Sequence, residues 1–204
     1  MKTNLIYNRL SSFYDTVFET LLEEGLNAAC SKIPSHSKVL ELGIGSGGSL
    51  SHYNSNIHLT AVEISSEMLK QAREKAKQRS DLDIEFILGD ATHTPINDKT
   101  FDFVVSFSVI TVVDRPDRLV EEALRLCRPG GSIMIIGVHK RSGLIGQILS
   151  YALDPLSRIS LGFTTRLNQD IYSNYQDHLK SIEFVPTNHL GSASLSDLVI
   201  LTKK

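Results

Sequence analysis

Residues 38–48 read Lys38-Val39-Leu40-Glu41-Leu42-Gly43-Ile44-Gly45-Ser46-Gly47-Gly48. A short apolar run, of strand length, passes directly into a glycine-rich turn. Glycines let the backbone take positive φ and approach a ligand closely, because no Cβ intervenes. Gly47-Gly48 then opens toward a helix expected from about Gly47 to Tyr53, whose first N–H groups and dipole would face whatever the turn holds. Strand, glycine turn and helix in that order place a mononucleotide-type site at the carboxyl end of a parallel sheet. Gly43, Gly45 and Gly48 also satisfy G-x-G-x-x-G, so the turn by itself admits a dinucleotide.

Three acidic residues narrow the ligand. Glu41 lies just before the first glycine, Glu63 closes the next strand (His58-Leu59-Thr60-Ala61-Val62), and Gly89-Asp90-Ala91 follows a third. A carboxylate at each of three successive strand ends suits a ligand with hydroxyl, amine and ammonium donors and opposes a pyrophosphate. S-adenosylmethionine has those donors and no phosphate, whereas a nicotinamide dinucleotide carries a pyrophosphate.

Composition sets the frame. The chain has 204 residues, 41% apolar and 22% charged, enough for one domain with a core. A net charge of −2 gives no basic excess for a nucleic acid. Cys30 and Cys127 lack metal-ligand spacing, and the seven histidines form no H-x-x-x-H pattern, so no metal is expected. The first residues contain no apolar stretch of about 7–15 residues like that of a signal peptide. No run of about 20 apolar residues suggests a membrane span. The expectation is a cytoplasmic protein.

Along the chain, apolar positions such as Leu10, Phe13, Tyr14, Val17 and Leu21 recur at helical spacing over 4–32. They predict one or two amphipathic helices, which either pack on the sheet or form a lid touching a membrane surface. Strands are expected at 37–42, 57–62, 82–88, 101–107 and 132–136, with helices at 66–79, capped by Ser65 or Ser66, and from Asp114 through Cys127. Residues 89–100 read as a loop and Arg128-Pro129-Gly130-Gly131 as a tight turn. Residues 140–180 look helical and rich in large apolar groups. Two closing strands, 182–187 and 197–203, are joined too briefly for a crossover and predict an antiparallel hairpin. The sum is an α/β, doubly wound, mainly parallel seven-stranded sheet with an antiparallel C-terminal hairpin and a helical cap. Its parts are an N-terminal helical lid (1–33), a core (34–139), a substrate cap (140–180) and the hairpin (181–204).

The run Val39-Leu40-Glu41-Leu42-Gly43-x-Gly45-x-Gly47 resembles motif I of the class I S-adenosylmethionine-dependent methyltransferases. Val62-Glu63-Ile64-Ser65-x-x-Met68-Leu69, Gly89-Asp90-Ala91, Phe101-Asp102-x-Val104 and Arg128-Pro129-Gly130-Gly131 follow in that family's order. The resemblance covers roughly 37–140 and implies S-adenosylmethionine as cofactor. By motif position, Gly43, Gly45 and Gly47 would line its methionine part, with Glu41 near the ammonium. Glu63 would hold both ribose hydroxyls, Ile64 and Met68 would lie against the adenine, and Asp90 would accept from the adenine amino group beside Ala91. Phe107 and Ser108 would lie near the sulfonium. The plain alternative for Asp90 is a turn residue; Ser65 is read as a helix cap only.

A narrower resemblance concerns the substrate. Tyr14-Asp15, Val109-Ile110-Thr111-Val112-Val113 and the 140–180 insert with Pro155 are similar to small peripheral bacterial phosphatidylethanolamine N-methyltransferases. Those enzymes usually carry an Asn-His pair after strand five, where this chain reads Gly137-Val138-His139-Lys140. Quinone-ring C-methyltransferases share most of the same motifs. The expected substrate is therefore a lipid amine at the inner membrane face or a small apolar molecule, and a binding protein without catalysis is the third alternative. An amine must shed a proton, and His139 is the candidate acceptor. Tyr14 and Tyr151, and less so Tyr7, are candidates to face a methylated ammonium. Lys140, Arg141, Arg158 and Arg166 are candidates to meet a phosphate. The oligomeric state is left open.

Overall fold

The computed structural model describes residues 22–137, 169–190 and 193–204. The expected lid and cap, with Tyr7, Tyr14, His139, Lys140, Arg141, Tyr151, Arg158 and Arg166, lie outside the described residues, apart from the end of the first helix (α1, 22–30) and residues 169–180. After α1 come β1 (Lys38–Leu42), β2 (His58–Glu63), α2 (Ser66–Ala76), β3 (Asp83–Leu88), β4 (Phe101–Phe107), α3 (Pro116–Leu126), β5 (Cys127–Gly137), β6 (Leu179–Leu190) and β7 (Ala193–Lys203). Short 3-10 segments occupy Gly48–Ser51, Val109–Thr111 and Gln169–His178.

All seven strands form one sheet in the order β3-β2-β1-β4-β5-β7-β6. β1 to β5 are parallel, and β7 runs antiparallel between β5 and β6. The chain order reverses between β1 and β4, which opens a crevice at the carboxyl ends of those two strands. The central strands alternate between two apolar layers. Val39, Ala61, Val105 and Met134 meet Leu26, Cys30, Leu69 and Ala72 from α1 and α2 on one face. Leu40, Val104, Ile133 and Val199 meet Leu119, Val120 and Ala123 of α3 on the other. Burial on both faces explains why β4 reads as a nearly unbroken apolar run. Pro186 is tolerated in β6 because that strand is at the sheet's edge.

Four local expectations change. The helix expected from Gly47 to Tyr53 is a single 3-10 turn, Gly48–Ser51, preceded by Gly47 at φ 85°. Glycine and serine are poor helix formers, and no apolar stripe outweighs them. Among the described residues, no α-helix follows directly on the glycine loop. β5 begins at Cys127, and the expected turn 128–131 is a bulge inside it, where the register jumps from Phe101–Cys127 to Phe103–Ser132. Arg128 Nε secures the bulge by donating to Asp102 Oδ1 at 2.6 Å. The terminal strands, Leu179–Leu190 and Ala193–Lys203, are longer than the expected 182–187 and 197–203. Gln169–His178 is 3-10 rather than α, and it packs Tyr172 into the α3-side core while the Tyr175 hydroxyl donates to Asp117 O at 3.2 Å.

Candidate functional site

The glycine loop is held in place by backbone bonds to β2. Gly43 and Ile44 both donate their N–H groups to Val62 O, at 2.8 and 3.1 Å. Gly43 has φ 83°, and a Cβ there would collide with Val109 Cγ2, so the loops after β1 and β4 are in direct contact across the crevice. Gly45 has φ 57°, and a Cβ there would meet nothing within 4 Å. The middle of the loop thus faces open space.

Glu63 stands beside it, 7% exposed at the end of β2. Its Oε2 accepts from Gly45 N at 3.0 Å and its Oε1 from Ser65 N at 2.9 Å. Two backbone donors fix the carboxylate plane and leave each oxygen a further lone pair. Ser65 also caps α2, its hydroxyl accepting from Met68 N at 3.3 Å. Next to Glu63, Ile64 is 70% exposed, an apolar side chain without cover; Met68 is half-buried.

Glu41 lies on the α1 and α2 side of β1, 1% exposed. Its Oε2 accepts from Ser49 Oγ at 2.8 Å and from the Tyr53 hydroxyl at 2.9 Å. Burial raises its pKa to about 7, against the pull of those two donors, and the nearby Glu63 carboxylate adds to the rise. Arg79, beyond α2, supports this corner. It donates to Leu50 O and, at 2.8 Å, to Tyr53 O, and it is paired with Asp81 at 2.8 Å.

Asp90 is exposed, and its Oδ1 accepts from both the N–H and the hydroxyl of Thr92, each at 2.8 Å. Its Oδ1 thus holds the turn at 90–92, while Oδ2 has no partner among the described residues. Ala91 beside it is buried. The rest of this loop is fastened to α3. Glu122 Oε1 accepts from Thr94 N at 2.7 Å and Thr94 Oγ1 at 2.8 Å, and Arg125 reaches Glu122, Ile96 O and Asp98.

At the end of β4, Phe107 is buried and Ser108 takes φ 68°. Ser108 N donates to Ile136 O at 2.8 Å, and its own carbonyl accepts from Thr111 Oγ1 at 2.8 Å. This left-handed residue turns the chain toward the glycine loop. The structure thus brings Glu41, Gly43, Gly45, Gly47, Glu63, Ile64, Met68, Asp90, Ala91, Phe107 and Ser108 to the strands' carboxyl ends, over β1, β2, β3 and β4. Sequence reasoning missed Ser49, Tyr53, Arg79, Glu122 and Arg125. Glu122 had a signal, because it stands three residues after Leu119 and four before Leu126 on the apolar stripe of α3. Tyr53 had none, since nothing in its neighbours points to Glu41.

Residues 40–135 match the family model described as a methyltransferase domain. The chain has the fold of the class I methyltransferases. It is 34% identical over 132 residues to the phosphatidylethanolamine N-methyltransferase of Cereibacter sphaeroides, a match covering 64% of this chain and 65% of that protein. It is 38% identical over 100 residues to the demethylmenaquinone methyltransferase of Paenarthrobacter aurescens, covering 48% of this chain and 37% of that one. Among solved structures, a Thermotoga maritima S-adenosylmethionine-dependent methyltransferase, described as a possible histamine N-methyltransferase, superposes with a TM-score of 0.72. The identity is 20%, with 98% of this chain and 99% of that one covered. The chain spans just under two thirds of the first two curated relatives' lengths that it matches.

The Thermotoga maritima protein is described as S-adenosylmethionine-dependent, and the geometry here fits that cofactor. The space above Gly45 leaves room for a ligand against the loop. Glu63 is fixed by two backbone donors with a lone pair left on each oxygen, Ile64 offers an apolar face, and Oε1 of Glu41 has no donor among the described residues. A pyrophosphate finds no α-helix N-terminus after the glycines, only the four-residue 3-10 turn.

Proposed function

We propose that the protein is a phospholipid N-methyltransferase that methylates the amine of phosphatidylethanolamine, stepwise toward phosphatidylcholine, at a membrane surface. The observation that supports this reading best is the 34% identity to a phosphatidylethanolamine N-methyltransferase over 64% of the chain. Among the described residues no helix is long and apolar enough to cross a membrane, so the proposed contact is peripheral.

In this reading Glu63 accepts from both ribose hydroxyls, using the lone pairs that Gly45 N and Ser65 N leave open. Ile64 and Met68 cover the adenine, and Asp90 Oδ2 accepts from its amino group. Gly43, Gly45 and Gly47 line the methionine part, and Glu41 accepts from its ammonium. Phe107 and Ser108 border the reacting centre. Bound there, S-adenosylmethionine supplies a methyl carbon activated by its sulfonium to a nucleophile approaching in line. The chain's contribution is alignment and exclusion of water, worth roughly 7–11 kcal/mol in well-oriented systems. His139 is the proposed acceptor of the amine's proton, and Tyr14 the proposed aromatic face for the methylated ammonium.

A second reading, C-methylation of a prenylated quinone, is supported by the 38% identity to a demethylmenaquinone methyltransferase. The deciding experiment measures release of S-adenosylhomocysteine with vesicles and with quinone precursors. Phosphatidylethanolamine vesicles should support turnover and phosphatidylcholine vesicles should not, because the nitrogen of phosphatidylcholine is already fully methylated. Equal turnover on both would eliminate amine methylation, and turnover on a demethylated quinone alone would favour the second reading.

A further inference from the structure

Glu41 is 1% exposed, Ser49 5% and Tyr53 4%, so three polar side chains meet out of water beneath the glycine loop. Both hydroxyls donate to one carboxylate oxygen, Oε2, at 2.8 and 2.9 Å. Oε1 accepts no hydrogen bond from the described residues, although a buried acceptor without a donor is costly. Among the described residues, the charged and titratable groups facing this carboxylate offer it no free cation. Cys30 of α1 is held as a thiol by burial, and Glu63 of β2 is a second acid. Arg79 is committed to Asp81 and to the carbonyls of Leu50 and Tyr53. β4 places only Val105 opposite Glu41. The corner is therefore a carboxylate with two donors on one oxygen and none from the described residues on the other.

We infer that Tyr53 and Ser49 are positioning residues for the cofactor: they anchor Oε2 of Glu41 so that Oε1 receives the ammonium of S-adenosylmethionine, and binding displaces a proton from Glu41 to solvent. The inference rests on the cofactor and not on the identity of the methyl acceptor. With the carboxyl raised to about 7 by burial, much of the free protein carries Glu41 protonated at neutral pH. An ammonium beside it favours the ionised form. The bound state then holds fewer protons than the free state below about pH 7, so affinity rises with pH up to the free protein's pKa and levels off above it. Each hydroxyl that donates to the carboxylate holds this window down; removing one moves it up.

Calorimetry of S-adenosylhomocysteine binding to the full chain, in buffers of different ionisation enthalpy, tests this. The wild type should release close to one proton per ligand near pH 6 and almost none near pH 8.5. 5′-Methylthioadenosine keeps the adenosine but lacks the ammonium, so it should release none. Tyr53→Phe keeps the ring and removes the donor. Its release window should move up by about one pH unit, and its affinity near pH 7 should fall several-fold. Ser49→Ala should shift the window in the same direction and serves as the test if Tyr53→Phe does not fold. Glu41→Gln should abolish the release. An unchanged window in the folded hydroxyl variants, or equal release with 5′-methylthioadenosine, would overturn the inference. Absence of any S-adenosylhomocysteine binding by the wild type would overturn the cofactor assignment with it.

Discussion

Glu63 joins two parts of the fold through one carboxylate, and the proposed function gives it the cofactor's ribose as well. Its two oxygens tie Gly45 of the β1 loop to Ser65 at the start of α2, and each keeps a further lone pair that the proposed reading gives to a ribose hydroxyl. Glu63→Ala should weaken S-adenosylhomocysteine binding by at least 10-fold, since charge-assisted hydrogen bonds contribute roughly 1.5–3 kcal/mol each. Calorimetry on the folded variant measures it; unchanged affinity would remove Glu63 from the site, and binding of NADH by the wild type would remove the methyltransferase reading. The two loop glycines should separate cleanly. Gly45→Ala places its Cβ in open space, so it should cost about 1–2 kcal/mol of stability through its left-handed backbone while reducing cofactor affinity. Gly43→Ala drives its Cβ into Val109 and should lose substantially more stability, which denaturant unfolding of the pair would reveal. The acids Glu41, Glu63 and Asp90 were readable because strand ends are readable. Tyr53 was not, because its partner lies 12 residues away and the meeting depends on how the loop folds.

The elements divide in the same way. The strands and the helices α2 and α3 follow from apolar periodicity, which burial in two layers enforces. The Gly48–Ser51 turn and the bulge at 128–131 do not, because glycine-rich backbone takes its shape from neighbouring contacts rather than from a pattern of side chains. The loop 89–100 was readable as a loop, but not its fastening. Glu122 and Arg125 clamp it onto α3 through Thr94, Ile96 and Asp98, and this holds Asp90 and Ala91 at the carboxyl end of β3. Arg125→Met leaves a buried carboxylate supported by Thr94 alone, and Glu122→Gln removes its charge. Each should destabilise the domain by about 1–3 kcal/mol, and the double variant should lose less than the sum, because the two act as one unit. Denaturant unfolding of the four proteins gives the coupling. Additive losses would show that loop and helix are held independently.

At the scale of the whole molecule, the switch between β1 and β4 sets where a ligand lies, and the proposed function requires that a lipid substrate reach it. The end of α1 belongs to the core: Leu26, Ala29, Cys30 and Ile33 are buried, and Asn54 Nδ2 donates to Ile33 O at 2.9 Å while His52 bonds Asn27 at 2.8 Å. A truncation that stops before residue 22 spares all of these contacts. The residues it removes include Leu5, Ile6, Leu10, Phe13, Tyr14, Val17 and Phe18, an apolar stripe of the kind that marks a binding surface when it is not covered. Transfer of such surface out of water contributes about 25 cal/mol per Å², so a lipid face would gain from covering it. Deleting residues 1–20 should therefore leave a cooperatively unfolding domain that still binds S-adenosylhomocysteine, weaken sedimentation with vesicles, and lower turnover on vesicles more than on a short-chain soluble substrate. Both anionic and neutral vesicles belong in the assay, because Glu19, Glu23 and Glu24 oppose simple attraction to anionic lipid. Equal co-sedimentation of the truncated and full-length chains would mean that the stripe packs within the protein and that the substrate reaches the crevice by another surface.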